Sequence, residues 1–388
     1  MTELHNNYDS DRRMLSLGWG YTDESYVIDN ELLQSLERAL KKYGYGILQY
    51  ENCYGLQNLR EKIVKWAPEF YKIPQFSTES LIITSGITAG LDLVGRNILG
   101  GKYDALIIEP CYDTAIRSIQ QNSNQIFSIN ASDNGDGFIK ITTDQWNEIR
   151  IIFSKGTVKL LYIVPNYSNP SGLSISQEDK IKLLSLCKEF SVTIFEDDPY
   201  ALYDYSGKNN GIKTFYELDT NHESVIYANS FSKIGFPGLR IGFLVGNPQV
   251  IAKISEIQKY SISSPNLLTQ GIVEDMIDAG IFTKVFKHRF SAMKNKYINF
   301  IATLNESEVA SINQYISGIN GGFYAWINVK NGTKFTDLAR ENGLVVIPGK
   351  IYGCNYNFEE YIRVTFSQIP SKDLEIATNK LIRTFMTI

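Results

Sequence analysis

Ser230-Phe231-Ser232-Lys233-Ile234-Gly235-Phe236-Pro237-Gly238-Leu239-Arg240-Ile241-Gly242 is the stretch on which the reading of this chain turns. Two serines and a lysine follow the apolar run 225–229, and an arginine stands beyond a Pro-Gly turn. A lone lysine is usually a solvated surface residue. Here its neighbours are apolar, and a lysine becomes a nucleophile when its surroundings lower its pKa. Ser230, Ser232 and Arg240 offer the hydroxyl and guanidinium donors that a phosphate dianion takes.

Working outward, the stretch closes a series of short apolar runs at 81–84, 105–109, 125–129, 160–164, 192–196, 225–229 and 241–245. They lack strict alternation, as strands covered on both faces do. Several are separated by helical stretches. The clearest is 177–190, with Ser176 as N-cap and Asp179 three residues on. Alternating strands and helices predict an α/β fold with a large domain built on a mostly parallel seven-stranded sheet. Before it, 32–43 and 56–66 read as amphipathic helices. After it, helical 280–303, apolar 323–329, 344–347 and 361–366, and a last helix predict a smaller α+β domain. The expected division is an N-terminal arm with part of the small domain (1–44), the large domain (45–278) and the small C-terminal domain (279–388).

In such sheets ligands sit outside the carboxyl ends of the strands, and polar clusters do follow the apolar runs. Thr84-Ser85-Gly86-Ile87-Thr88-Ala89-Gly90 opens a helix. Its free N–H groups suit phosphate, although a tight turn explains it equally. Glu109-Pro110-Cys111-Tyr112 puts an aromatic at a strand end. It can stack on a flat ring, or be one more of 24 tyrosines. Pro165-Asn166-Tyr167-Ser168-Asn169-Pro170-Ser171-Gly172 is turn chemistry throughout, with Asn169 able to bond a phenolic oxygen. Phe195-Glu196-Asp197-Asp198-Pro199-Tyr200 places two acids at the end of a buried strand. They are costly there unless paired, or else form an exposed acidic loop.

Together these segments resemble the fold-type I enzymes that use pyridoxal 5′-phosphate (PLP). They look most like the class I/II aminotransferases of the aminoadipate/kynurenine/aromatic group. S-x-S-K-(x)6-R with N-P-x-G and D-x-x-Y carries the resemblance, which runs from about residue 14 to about residue 368. It implies that Lys233 holds PLP as a Schiff base and then acts as the base of the proton shift. It implies that Asp197, rather than Asp198, pairs with the pyridine N–H⁺. Asn169 and Tyr200 would bond the phenolic oxygen, and Tyr112 would stack on the ring. Gly86, Ile87, Thr88, Ser230, Ser232 and Arg240 would hold the phosphate. Tyr50 would reach the phosphate of a neighbouring subunit, implying a homodimer with shared sites. Arg363 would take the substrate α-carboxylate bidentately, with Asn169, Gly20 and Tyr21 on the substrate side.

The chain departs from the group's pattern at Ile87-Thr88, where relatives have Ser-Gln, and at Tyr21, Thr22 and Lys350. These last changes are expected around the substrate side chain. Aromatic Trp19 and Tyr21 favour a large or aromatic substrate. The implied reaction is amino-group transfer between an amino acid and a 2-oxo acid, a step of amino-acid metabolism. A second reading keeps the cofactor but makes the enzyme a lyase, cyclase or oxidase. A third makes the domain a PLP-sensing regulator, which needs a winged helix ahead of motifs that here begin by about residue 14.

Composition narrows the rest. The chain has 388 residues, 43% hydrophobic and 21% charged, with net charge −4. No basic stripe marks a nucleic-acid partner. No apolar run nears membrane-spanning length, and no secretory signal opens the chain. Four scattered cysteines and three histidines outside every cluster predict neither disulfides nor zinc, and argue against Ser/His/Asp catalysis. A cytoplasmic location is expected.

Overall fold

The computed structural model describes residues 14–22, 29–207, 211–307 and 320–387. At the centre is a seven-stranded sheet: β1 (Leu81–Thr84), β2 (Asp104–Glu109), β3 (Ile126–Asn130), β4 (Val158–Ile163), β5 (Thr193–Asp197), β6 (Val225–Ser230) and β7 (Gly242–Val245). Their spatial order is β1-β7-β6-β5-β4-β2-β3. Only β7 runs against its neighbours; the other pairs are parallel.

Side chains alternate between two apolar layers, which is why the runs lack polar positions. Leu81, Ile83, Leu161, Ile163, Tyr227 and Phe243 face one layer. Ile82, Leu160, Tyr162, Phe195, Ala228 and Leu244 face the other. Helices Gln57–Tyr71, Gln177–Phe190 and Leu267–Asp278 cover the first face. Helices Ile87–Ile98 and Asp113–Asn122 cover the second. Ser176 caps Gln177–Phe190 as expected, its hydroxyl accepting from Asp179 N–H. Helix Gln57–Tyr71 runs past the predicted stop at 66, carrying Pro68 in its last turn.

The register decides where the chemistry collects. Gly242 lies opposite both Thr84 and Ser230. Because β7 is antiparallel, the start of this strand meets the carboxyl ends of β1 and β6. Arg240, just before β7, therefore falls beside Ser230 and the loop after Thr84. Gly242 has no side chain for a reason: a Cβ would sit 3.0 Å from the Gly86 backbone.

The smaller region holds an antiparallel sheet of Tyr324–Asn328 (β8), Ile347–Pro348 (β9) and Tyr361–Thr365 (β10). Leu15–Ser16 pairs in parallel with Leu344–Val345, so the start of the arm belongs here. Helix Asp29–Tyr43 rests elsewhere, on Leu267–Asp278. Arg38 there pairs with Asp275 at 2.7 Å and Lys42 with Glu274 at 2.5 Å. One helix, Ile281–Asn305, joins the two regions. Phe282 packs near its start against Phe231 at 4.9 Å between ring centroids, and Phe300 packs farther along against Phe366 at 5.8 Å. A polar tie adds to this. Buried Glu109 at the end of β2 accepts 2.9 Å bonds from the backbone N–H of Cys354 and of Asn355. No helix among the described residues is long and apolar enough to cross a membrane.

Candidate active site

A cavity of about 340 Å³ opens where the strand ends face the small region. Its walls include Gly86, Ile87, Thr88, Tyr112, Asn169, Asp197, Tyr200, Ser230, Ser232, Lys233 and Arg240, with Gly20, Tyr21 and Arg363 from the other side. Fourteen of the fifteen expected site residues thus converge, and Tyr50 alone stands apart, 89% exposed. Thr22 is buried but does not line the cavity. Lys350 is a correction. The tight turn Gly349–Tyr352 aims Ile351 and Tyr352 inward and turns Lys350 out to the Thr333 hydroxyl at 2.9 Å.

Asp197 and Asp198 separate because successive side chains at a strand end point to opposite faces. Asp198 accepts from Asn166 Nδ2 at 2.7 Å, on the side of the buried Lys180 amine. Asp197 faces the cavity, where Tyr162 donates a 2.7 Å bond to Oδ2. Its Oδ1 is buried without a partner. Burial pushes the Asp197 carboxyl up to about 7, against the Tyr162 bond, which lowers it. An unpaired acceptor on such a group is what a cationic N–H would satisfy.

Lys233 lies in a single helical turn after β6, with its Nζ 2.9 Å from the Gly20 carbonyl. That amine is 5.7 Å from the Tyr200 ring centroid and 5.6 Å from that of Phe323. Tyr203 fixes the lysine backbone by donating to its carbonyl at 2.7 Å. Ser230 accepts from Ser232 N–H at 2.9 Å. Arg240, at φ +51°, spans from the Pro237 carbonyl (3.4 Å) to the Ser85 carbonyl (3.3 Å). Gly86 opens helix Ile87–Ile98 at φ +89°, where a Cβ would stand 2.8 Å from Arg240 Nη2. Guanidinium, hydroxyls and free helix N–H groups therefore form one cup for an anion. Ile87 offers its backbone there, and Thr88 adds a hydroxyl.

Arg363 projects from β10 between two rings, its guanidinium 4.7 Å from Tyr324 and 5.1 Å from Tyr352. Nη1 donates to Asn169 Oδ1 at 2.9 Å and Nη2 to the Gly18 carbonyl. Its Nε is buried without a partner. Tyr200 and Tyr324 hydroxyls are 3.1 Å apart. Burial raises the phenols of Tyr200 and Tyr162, and pushes Tyr112 up to about 12. All three are neutral donors at neutral pH.

Sequence reasoning missed several walls. Tyr162 is a tyrosine inside an apolar strand, which is a usable signal. Tyr324, Tyr352, Asp113, Thr114 and Arg117 carry none that separates them from ordinary strand and helix residues.

The cavity brings together an open cup of helix N–H groups and guanidinium, a partnerless buried carboxylate oxygen and a buried guanidinium. Comparison with known proteins supplies the family. The sequence model of the class I and II aminotransferases matches residues 23–381, and the chain belongs to that family. It is 26% identical over 359 residues to aromatic-amino-acid aminotransferase 1 of Thermococcus litoralis, covering 90% of this chain and 82% of that protein. It is 25% identical over 395 residues to the HTH-type transcriptional regulator NorG of Staphylococcus aureus, covering 98% of this chain and 82% of the other. The crystal structure of Pyrococcus horikoshii kynurenine aminotransferase superposes with a TM-score of 0.89. It is 26% identical and covers 100% of this chain and 94% of that one. The chain is therefore a PLP-dependent aminotransferase of the type I fold, working on amino acids and 2-oxo acids. The cavity fits that cofactor on its own terms: Asp197 keeps a free acceptor at the floor, and Gly86 keeps the anion cup open.

Proposed function

We propose that Lys233 is the residue that carries the cofactor, and that the residues around it divide the work of transamination as follows. Asp197 would face the pyridine nitrogen, with Tyr162 fixing its orientation. Tyr112 would lie against the ring, and Asn169 and Tyr200 would donate to its phenolic oxygen. Gly86, Ile87, Thr88, Ser230, Ser232 and Arg240 would hold the phosphate. When bound, PLP supplies an electron sink for the pair released at the substrate α-carbon. The Lys233 amine would take the substrate α-proton and return it. Arg363 would bind the α-carboxylate, beside Gly20 and Tyr21.

The observation that carries this is the convergence of the Lys233 amine, the unpaired Asp197 Oδ1 and the unpaired Arg363 Nε on one cavity. Trp19 and Tyr21 at the mouth support a large substrate side chain. Purified protein should show the visible absorption of bound PLP, and Lys233→Ala should lose it and at least about 10²- to 10⁴-fold of the rate. A single amino acid should convert the wild-type cofactor to pyridoxamine phosphate. Conversion retained in Lys233→Ala would sink the assignment.

The same reading makes the protein a homodimer. Tyr45, Leu48 and Tyr50 are exposed apolar side chains in one stretch of chain, and the Cys53 carbonyl just beyond them accepts a bond from Gln258. A second copy would cover this apolar face and receive Tyr50 at its phosphate. Sedimentation should give a dimer, and Tyr50→Phe should weaken cofactor retention without dissociating it. The division into 1–44 (arm and part of the small domain), 45–278 and 279–388 remains our proposal; Leu15–Ser16 pairs with the small region, while helix Asp29–Tyr43 packs on Leu267–Asp278. Four free cysteines agree with a reducing, cytoplasmic location.

A further inference from the structure

Among the described residues, six charged side chains line the cavity: Asp113, Arg117, Asp197, Lys233, Arg240 and Arg363. The reading above employs four of them and leaves Asp113 and Arg117. They sit one turn apart on the same face of helix Asp113–Asn122, and they are not equivalent. Asp113 is half-buried at the first position of the helix, while Arg117 is exposed. Asp113 lies near enough to Arg363 and Tyr352 for its charge to act on both. Burial raises its carboxyl, while Arg363, the Thr114 N–H and Arg117 act to keep it ionised. Its position at the helix start acts the same way.

We propose that Asp113 anchors the substrate side chain and that the group it takes is a cation of the guanidinium type. The proposal rests on Arg363 taking the α-carboxylate. That pairing neutralises Arg363 and leaves Asp113 as the one half-buried acid, among the described lining residues, that the reading above does not employ. Asp113 acts through a partly desolvated space, where charge counts for more. Arg117 acts through water and is screened. The aromatic wall suits the same group. Trp19 and Tyr21 stack at the mouth with centroids 6.4 Å apart and ring planes 20° from parallel. A planar guanidinium lies well on such a face while donating to a carboxylate.

The test compares L-arginine with its neutral isostere L-citrulline and with L-glutamate, each converting the PLP holoenzyme to its pyridoxamine form. Calorimetric binding of 5-guanidinopentanoate, which lacks the α-amino group, is the second readout. Arginine should exceed citrulline in kcat/KM, and Asp113→Asn should cut that ratio by about tenfold or more, mostly through KM. Binding of 5-guanidinopentanoate should weaken by a similar factor. Arg117→Ala should move both quantities the other way, which keeps the test alive should Asp113→Asn fold poorly. An arginine-to-citrulline ratio unchanged in Asp113→Asn would overturn the proposal. So would a glutamate preference lost in Arg117→Ala. If no amino acid converts the cofactor, the aminotransferase reading fails, and the calorimetric binding still decides on Asp113.

Discussion

The floor of the cavity is carried by strand ends, whereas its rim is assembled from three segments that meet only in the folded chain. Asp197, Ser230 and the turns after Thr84 and before Gly242 are fixed by a sheet whose partners are locked residue by residue. The rim comes from Trp19 to Tyr21, from the start of helix Asp113–Asn122, and from Ile351 and Tyr352. Polar ties hold it to the rest: Lys233 to the Gly20 carbonyl, Arg363 to Asn169 and Gly18, and Glu109 to the N–H groups of Cys354 and Asn355. A sheet edge cannot move one residue without turning every side chain over; a rim of loops can vary residue by residue. The floor is thus suited to a constant cofactor and the rim to a particular substrate.

The largest effects should come from the floor. Asp197→Asn should lower kcat by about 10²- to 10³-fold, since a fixed charge facing a cation is lost. The same variant has a signature in cofactor-free protein. Asp197 titrates at about 7 in the folded chain and at about 3.9 when unfolded. Its proton is therefore held more tightly when folded, and the associated stability is complete below about pH 4 and lost as pH rises to about 7. Wild-type apoprotein should lose roughly 4 kcal/mol across that window relative to Asp197→Asn. Parallel urea curves for the two proteins from pH 4 to pH 8 would remove the account of a strained, partnerless carboxyl.

Much of the floor is legible in the sequence because its chemistry sits in short stretches next to apolar runs. The S-x-S-K turn and D-x-x-Y each follow a strand, and a parallel sheet sends all such ends to one edge. β7 shows how local this logic is. Nothing in its sequence says that it runs backwards, yet Arg240 stands at the Ser230 end of the sheet only because it does. The rim is harder to read for a physical reason. Asp113 and Arg117 resemble any helical ion pair, Tyr324 resembles any strand tyrosine, and their meeting depends on how the two regions dock. Lys350 shows the converse: a conspicuous residue, one position from the cavity wall, turned outward by the twist of a single tight turn.

At the junction of floor and rim, Arg363→Ala should cost about 10²- to 10³-fold in kcat/KM. The loss would leave a substrate carboxylate unpaired among buried groups. The effect should fall mainly on KM for every amino acid alike, since all share the α-carboxylate. A loss confined to one class of side chain would move Arg363 from the common anchor to the selective rim.

Tyr324 tests whether the two regions are separable at all. Its ring supports the Arg363 guanidinium at 4.7 Å, while its hydroxyl meets that of Tyr200 at 3.1 Å. One residue thus touches the Arg363 guanidinium with its face and the Tyr200 hydroxyl with its tip. Tyr324→Phe keeps the ring and removes only the bridge. It should lower kcat by about 3- to 10-fold, the worth of one neutral hydrogen bond, and leave KM near its original value. It should also shift the pH at which the visible band of the bound cofactor changes, because Tyr200 loses a partner. Tyr324→Leu removes both contacts and should raise KM as well. A rise in KM already present in Tyr324→Phe would mean that the hydroxyl steadies Arg363 through Tyr200, so that floor and rim act as one unit.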